Sequence, residues 1–159
     1  MKILVDADAC PVKEVLIHLA KQRRLEVILM VSVDNYFQRQ DDVQVVMVDA
    51  LPQAVDMALI NRVEPGDLVV THDYGLAALV LSKKGRAISP MGYIYNETTM
   101  AALLERRYLQ SAARRAGIRT KGPKKRHPED DRRFRRNLLK LLDELMDAER
   151  LKLFPDDPD

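Results

Sequence analysis

The sequence predicts an α/β fold: a mainly parallel sheet of about five strands flanked by helices, then a basic loop and a C-terminal helix. Three observations carry this. Short β-rich apolar runs alternate with segments of helical period, the pattern of a parallel sheet with helical crossovers. Acidic or Gly/Pro punctuation follows the runs. The charge changes sign late in the chain. Residues 1–104 hold 10 Lys or Arg against 13 Asp or Glu, net −3, whereas residues 105–140 hold 14 against 4, net +10.

Taken in order, Lys2 to Val5 is the first strand. Pro11 suits the first turn of a helix, to which Val12, Val15, Leu16 and Leu19 give an apolar stripe. Leu25 to Val33 is a long strand, broken by Asp34–Asn35, with an irregular excursion to Asp42. Val43 to Val48 is the third strand. Pro52 opens a helix with Val55, Leu59 and Val63 on one face. Glu64–Pro65–Gly66–Asp67 is a turn, Leu68 to Thr71 the fourth strand, and Leu76 to Lys84 a helix stopped by Gly85. Arg86 to Ser89 is a fifth strand ended by Pro90. Gly117 to Pro128 reads as a loop. Phe134, Leu138, Leu141, Leu142, Leu145 and Met146 then mark an amphipathic helix, with Asp130 and Asp131 favourable near its start. The expectation is one domain over residues 1–149 and an acidic, proline-bearing, disordered tail over residues 150–159.

Composition narrows the function classes. A chain of 159 residues, 47% hydrophobic and 31% charged, is long enough for one real core and reads as a soluble globular protein. No apolar run approaches the ~18 residues of a membrane span, and Asp6 and Asp8 interrupt any signal-peptide core. The single Cys10 allows no internal disulfide, so a cytoplasmic setting is expected. Cys10 is also unsuited to a Cys-x5-Arg phosphatase loop, because Leu16 stands where Arg is needed. Neither nucleotide-cradle motif, G-x-x-x-x-G-K-[ST] or G-x-G-x-x-G, is present.

The acids carry the chemistry. In a parallel α/β sheet, strand C-terminal ends and helix N-terminal ends share one edge, where ligands bind. Asp6 and Asp8 follow the first strand, Asp34 the second, Asp49 the third and Asp73 the fourth. Asp56 lies early in the helix opened by Pro52 and is turned partly inward by Ile60 and Val63. Residues two apart on a strand point the same way, about 6.6 Å apart. Two carboxylates about 5 Å apart repel by roughly 3 kcal/mol at an effective dielectric near 20, which a bound cation or a retained proton relieves. Asp34, Asp49 and Asp73 equally suit helix caps and turns. Asp6, Asp8, Asp56 and Asp73 form the candidate metal and catalytic set. An all-oxygen cluster of this kind suits Mg²⁺ or Mn²⁺ rather than zinc. Thr71 is placed to position a phosphate or a water, or is an ordinary strand residue. Of the three histidines only His72, beside Asp73, is near the set. Paired divalent ions on carboxylates cleave phosphodiesters without a Ser, Cys or His nucleophile.

The segment Val5–Asp6–Ala7–Asp8–Ala9–Cys10–Pro11–Val12 resembles the opening signature of the YaiI/YqxD family, also called DUF188 or UPF0178. Glu64 to Asp73 with Leu76–Ala77, Ser89–Pro90–Met91–Gly92 and Thr120–Lys121–Gly122–Pro123 resemble its later motifs, and the likeness runs over roughly residues 1–145. The resemblance implies a three-layer PIN-like fold. PIN-type domains are typically metal-dependent nucleases with clustered acids, a role that falls by position on Asp6, Asp8, Asp56 and Asp73. Met91, Lys121 and Gln53 depart from the family pattern, the first putting one phosphate contact in doubt.

The basic band completes the reading. Within it Arg114, Arg115, Arg119, Lys121, Lys124, Lys125 and Arg126 are the candidate nucleic-acid contacts, made to phosphate or sugar with RNA the expected partner. The function expected is a Mg²⁺/Mn²⁺-dependent nuclease acting on RNA or on single-stranded or structured nucleic acid. Two alternatives stand beside it. One is a non-catalytic RNA-binding module with a structural ion. The other is a phosphatase using Asp6 as nucleophile and Asp8 as acid, which Ala9–Cys10 after the second Asp disfavours.

Overall fold

Ile3, Leu4 and Val5 are all fully buried, so the first strand is covered on both faces, as the middle of a parallel sheet must be. The computed structural model describes residues 1–8, 10–33, 43–120, 122 and 125–155. Its elements run β1 (Lys2–Asp6), α1 (Lys13–Gln22), β2 (Glu26–Ser32), β3 (Gln44–Val48), α2 (Ala54–Ile60), β4 (Leu68–Val70) and α3 (Tyr74–Ser82). They continue β5 (Arg86–Ile88), β6 (Ile94–Tyr95), α4 (Glu97–Arg115) and α5 (Pro128–Leu153).

The strands lie in the order β3-β2-β1-β4-β5-β6, parallel except that β6 pairs antiparallel to β5. Side chains alternate across the sheet with period two. Ile3, Val5, Val27, Leu29, Leu68 and Val70 pack with α1 and α5 in one core, which Phe134, Leu138, Leu141 and Leu142 complete. Leu4, Ile28, Met30 and Val69 pack with α2, α3 and α4 in the other. The result is three layers, an architecture compatible with a PIN-like fold.

The topology fixes where a ligand goes. From β1 the chain builds outward through β2 to β3, then returns to pair β4 against the other side of β1. The strand order therefore reverses between β1 and β4, and the crevice beyond their carboxyl ends is the expected binding edge.

The expected strands and the first three helices are present. The structure adds β6 and α4, making six strands. It also carries α5 through Leu153, four residues into the stretch expected to be a disordered tail. The helix extends because Glu149 accepts an ion pair from the N-terminal amine at 2.7 Å, while Arg150 and Lys152 complement the last turn. The excursion expected over Asp34–Asp42 and residues 156–159 of the tail lie outside the described residues.

Two features hold the binding edge in place. Asp67, almost fully buried at the opposite edge, takes the Lys2 ammonium at 2.8 Å and accepts from the Lys2 and Glu64 backbones. Gly92, at φ +88°, lets α5 approach the turn after β5. A Cβ there would lie 2.5 Å from the Phe134 nitrogen, and the Gly92 carbonyl accepts from Asn137 at 2.7 Å.

Candidate functional site

Asp6 is the last residue of β1, and the ladder continues one step beyond it, Ala7 donating to the Met30 carbonyl at 3.0 Å. This stiff exit aims Asp6 at the crevice. Asp8 turns toward β2, its Oδ1 accepting from the Ser32 N–H at 2.8 Å. Thr71 follows β4 and is fully buried; its hydroxyl donates to Asp6 Oδ2 at 3.3 Å and accepts the Asp73 N–H at 3.0 Å. Its carbonyl is held by the buried Tyr95 hydroxyl at 3.1 Å. Asp73 caps α3, Oδ1 accepting from the Leu76 N–H at 3.0 Å. The capping expectation for Asp73 therefore holds.

Asp56 sits in the first turn of α2 and shares a hydrogen bond with Asp73. Burial first, then the Asp73 charge and that shared bond, push its carboxyl above the ordinary carboxylate range. Asp6 is displaced further, to about 6. Burial is the largest cause and the Asp56 charge the next, with Asp8 and Asp73 adding to it; the Thr71 hydroxyl opposes them. A carboxyl pushed up by desolvation and like charges, in a crevice at a strand-order reversal, has the marks of a functional group. Asp6, Asp8, Asp56, Asp73 and Thr71 are thus all brought to one edge. Asp49 is exposed past the sheet's outer strand, and Asp34 lies outside the described residues.

As placed, no three His, Cys, Asp or Glu side chains among the described residues surround one point closely enough to hold an ion. The donor chemistry still fits a hard divalent cation: oxygen only, several negative charges, and open access. Lys13, the first residue of α1, donates to the Ala7 carbonyl at 3.3 Å and brings a cation to the β1 exit.

Two clefts are lined by these acids. One, of about 410 Å³, is lined by Asp6, Asp8, Asp56 and Gln53, the last in the left-handed region at φ +63°. The other, of about 820 Å³, runs from His72 and Asp73 along α4 past Arg106, Arg107 and Arg114. Of the predicted nucleic-acid contacts, Arg114 lines this cleft, while Arg115, Arg119 and Lys125 are exposed. Arg126 is engaged inside the protein, paired with Asp131 at 2.6 Å and donating to the Pro90 carbonyl at 2.9 Å. Lys121 and Lys124 lie outside the described residues. Sequence reading missed Lys13, Arg106, Arg107 and Tyr93 as site residues. The Asn96/Thr99 capping box, visible in the sequence, would have revealed α4 and with it the arginines.

Fold and site together define a three-layer α/β protein, compatible with a PIN-like fold, with carboxylates gathered at its binding edge and an arginine-lined cleft reaching Asp73. The family model described as "Uncharacterized BCR, YaiI/YqxD family" matches residues 4–144, and the chain belongs to that family. Similar proteins include the UPF0178 protein of Clostridium kluyveri, 48% identical over 142 residues, covering 89% of this chain and 93% of the relative. That of Alkaliphilus metalliredigens is 42% identical over 143 residues, covering 90% and 92%. That of Exiguobacterium sibiricum is 43% identical over 147 residues, covering 92% and 100%. No solved structure matches the chain significantly. Among the described residues, no helix is long and apolar enough to cross a membrane.

Proposed function

We propose that the chain is a Mg²⁺- or Mn²⁺-dependent nuclease cleaving phosphodiester bonds in RNA or other unpaired nucleic acid. The observation that carries the reading is the Asp6 carboxyl, raised to about 6 by burial and by Asp56, Asp8 and Asp73, in a carboxylate-lined cleft, while Asp73 of the same set lines a second, arginine-lined cleft. Burial and mutual repulsion of this kind are relieved by a retained proton or by a cationic occupant, and at neutral pH the cation is the relief that leaves the carboxylates ionised.

Asp6, Asp56 and Asp73 would hold the ion, with Asp8 completing the set. A bound divalent ion supplies water activation and stabilisation of the departing oxygen. The chain's own part is positioning. Thr71 links Asp6 to the Asp73 backbone and sets the orientation of both, while the Tyr95 hydroxyl holds the Thr71 backbone carbonyl. The cap bond from the Leu76 N–H holds the Asp73 carboxylate by its Oδ1.

A single-stranded RNA labelled at its 5′ end, incubated with the protein and Mn²⁺, tests this. Cleavage that stops on chelation and in Asp6→Asn is the expected result; cleavage equal in both proteins is a contaminant's and refutes the proposal. One observation favours a second reading, a nucleic-acid-binding module without catalysis: Asp8 and Asp73 each commit an oxygen to a backbone N–H. That reading expects RNA binding and no cleavage with any divalent ion.

A further inference from the structure

The +10 band does not act as one surface. On α5, Arg132 pairs with Glu129 at 2.7 Å and Arg133 with Asp130 at 2.9 Å, and Arg126, just before the helix, pairs with Asp131. By contrast, Arg106, Arg107 and Arg114 are exposed and make no ion pair among the described residues. Arg107, Gln110 and Arg114 follow one another at three and four residues, Arg106 lies four before Gln110, and all four line the cleft from one side of α4. Arg106 to Arg114 spans about 12 Å along the helix axis.

The opposite wall of the same cleft is aromatic. Tyr93 is 56% exposed and lines the cleft. The Arg133 guanidinium sits 4.6 Å from its ring centroid and donates to its hydroxyl at 3.0 Å. One face of the ring is thereby covered, and the ring is held rigid with much of its surface in the cleft. Tyr74, nearer the acids, is braced edge-on against Tyr95.

We infer that the α4 cleft takes one unpaired nucleic-acid strand, with Arg106, Arg107 and Arg114 seating phosphates and Tyr93 stacking a base, and leads it to Asp73. The inference rests on the nuclease reading of the acid edge and adds to it the form of the substrate. An array of unpaired arginines facing a pre-held aromatic ring is the pairing that single strands use, because each base offers a stacking face only when it is out of a duplex. A duplex would meet the arginines alone. Thr120 and Gly122 then flank the path, and α4, which no apolar periodicity announces, is its floor.

The test is fluorescence anisotropy with a labelled 12-nucleotide RNA in EDTA, alone and annealed to its complement. Wild type is expected to bind the single strand at least tenfold more tightly than the duplex. Arg106→Ala/Arg107→Ala should weaken single-strand binding roughly tenfold and reduce the log–log salt slope by about 1.4, at about 0.7 per lost phosphate contact. Tyr93→Leu should lose about tenfold while Tyr93→Phe stays near wild type. All these side chains are exposed, and thermal melting checks that the variants are folded. Equal binding by wild type and the double-arginine variant, equal affinity for duplex, no binding at all, or equal competition by polyglutamate would each overturn the inference. The nuclease reading fails separately: a wild type that binds through the cleft but cleaves with no divalent ion retains the cleft and loses the catalysis. A wild type that cleaves, with the double variant cleaving and binding as well, does the reverse.

Discussion

Asp6→Asn should stabilise the metal-free protein at neutral pH. Asp6 has its pKa raised from 3.8 to about 6, chiefly by burial and by the Asp56 charge. A carboxyl raised on folding holds its proton more tightly in the folded state. Its contribution is therefore fully present below pH 3.8 and is lost as pH rises through about 6. Each pKa unit corresponds to about 1.4 kcal/mol, which bounds the cost of the charged form at about 3 kcal/mol. Solvent reaching this half-buried group lowers the figure to about 1–2 kcal/mol. Asparagine is uncharged at every pH and can still accept the Thr71 hydroxyl. The variant should therefore gain about 1–2 kcal/mol at pH 7.5 in EDTA, a rise in Tm of about 2–8 °C for a chain of this size. The advantage should shrink to nothing near pH 4. Urea denaturation at pH 4, 6 and 7.5 reads it directly. A variant less stable than wild type at pH 7.5, or a gain of the same size at pH 4, would refute the reasoning. Adding Mg²⁺ should then raise the Tm of wild type and leave Asp6→Asn unmoved.

Three further outcomes follow from the geometry. Gly92→Ala forces a Cβ to within 2.5 Å of the Phe134 nitrogen at a φ of +88°, and should cost about 3 kcal/mol or more in urea denaturation. Thr71→Val removes the hydroxyl joining Asp6 to the Asp73 N–H. It should cost about 1–3 kcal/mol and push the Asp6 carboxyl still higher by carboxyl-resolved NMR titration, because that hydroxyl lowers it; Thr71→Ser should show neither effect. Arg126→Ala breaks the tie to Asp131 and the Pro90 carbonyl and should lower stability by about 1 kcal/mol. Arg119→Ala, exposed on the same basic stretch, should change stability by less than about 0.5 kcal/mol.

The parallel core was legible because its signals are local and strong. The runs around Ile3–Val5 and Val27–Val31 are apolar without interruption, as strands buried on both faces must be. The placement of Asp6, Asp56 and Asp73 at one edge followed from topology alone, since helices that return antiparallel to the strands bring their starts to the strand ends. Less visible was β6, two residues long and made only by pairing to β5. α4 escaped periodicity because only Met100 among its 19 residues is buried, so its pattern is that of a solvated helix. The basic band was visible as charge, but composition cannot tell Arg126, paired to Asp131, from Arg106, which pairs with nothing described. That distinction comes from the side of α5 that meets the turn at Gly92, a tertiary contact between segments distant in sequence.

The account rests on the carboxylate edge being a divalent-cation site. Titrating Mn²⁺ into the protein by calorimetry at pH 6, in two buffers of different protonation enthalpy, tests this with no assumption about substrate. Wild type should bind and release protons, because Asp6 is half protonated at that pH, and an Asp6→Asn/Asp8→Asn variant should give no binding heat. A wild type without binding heat, or two identical isotherms, would contradict the account and leave these acids as caps and strand-end residues.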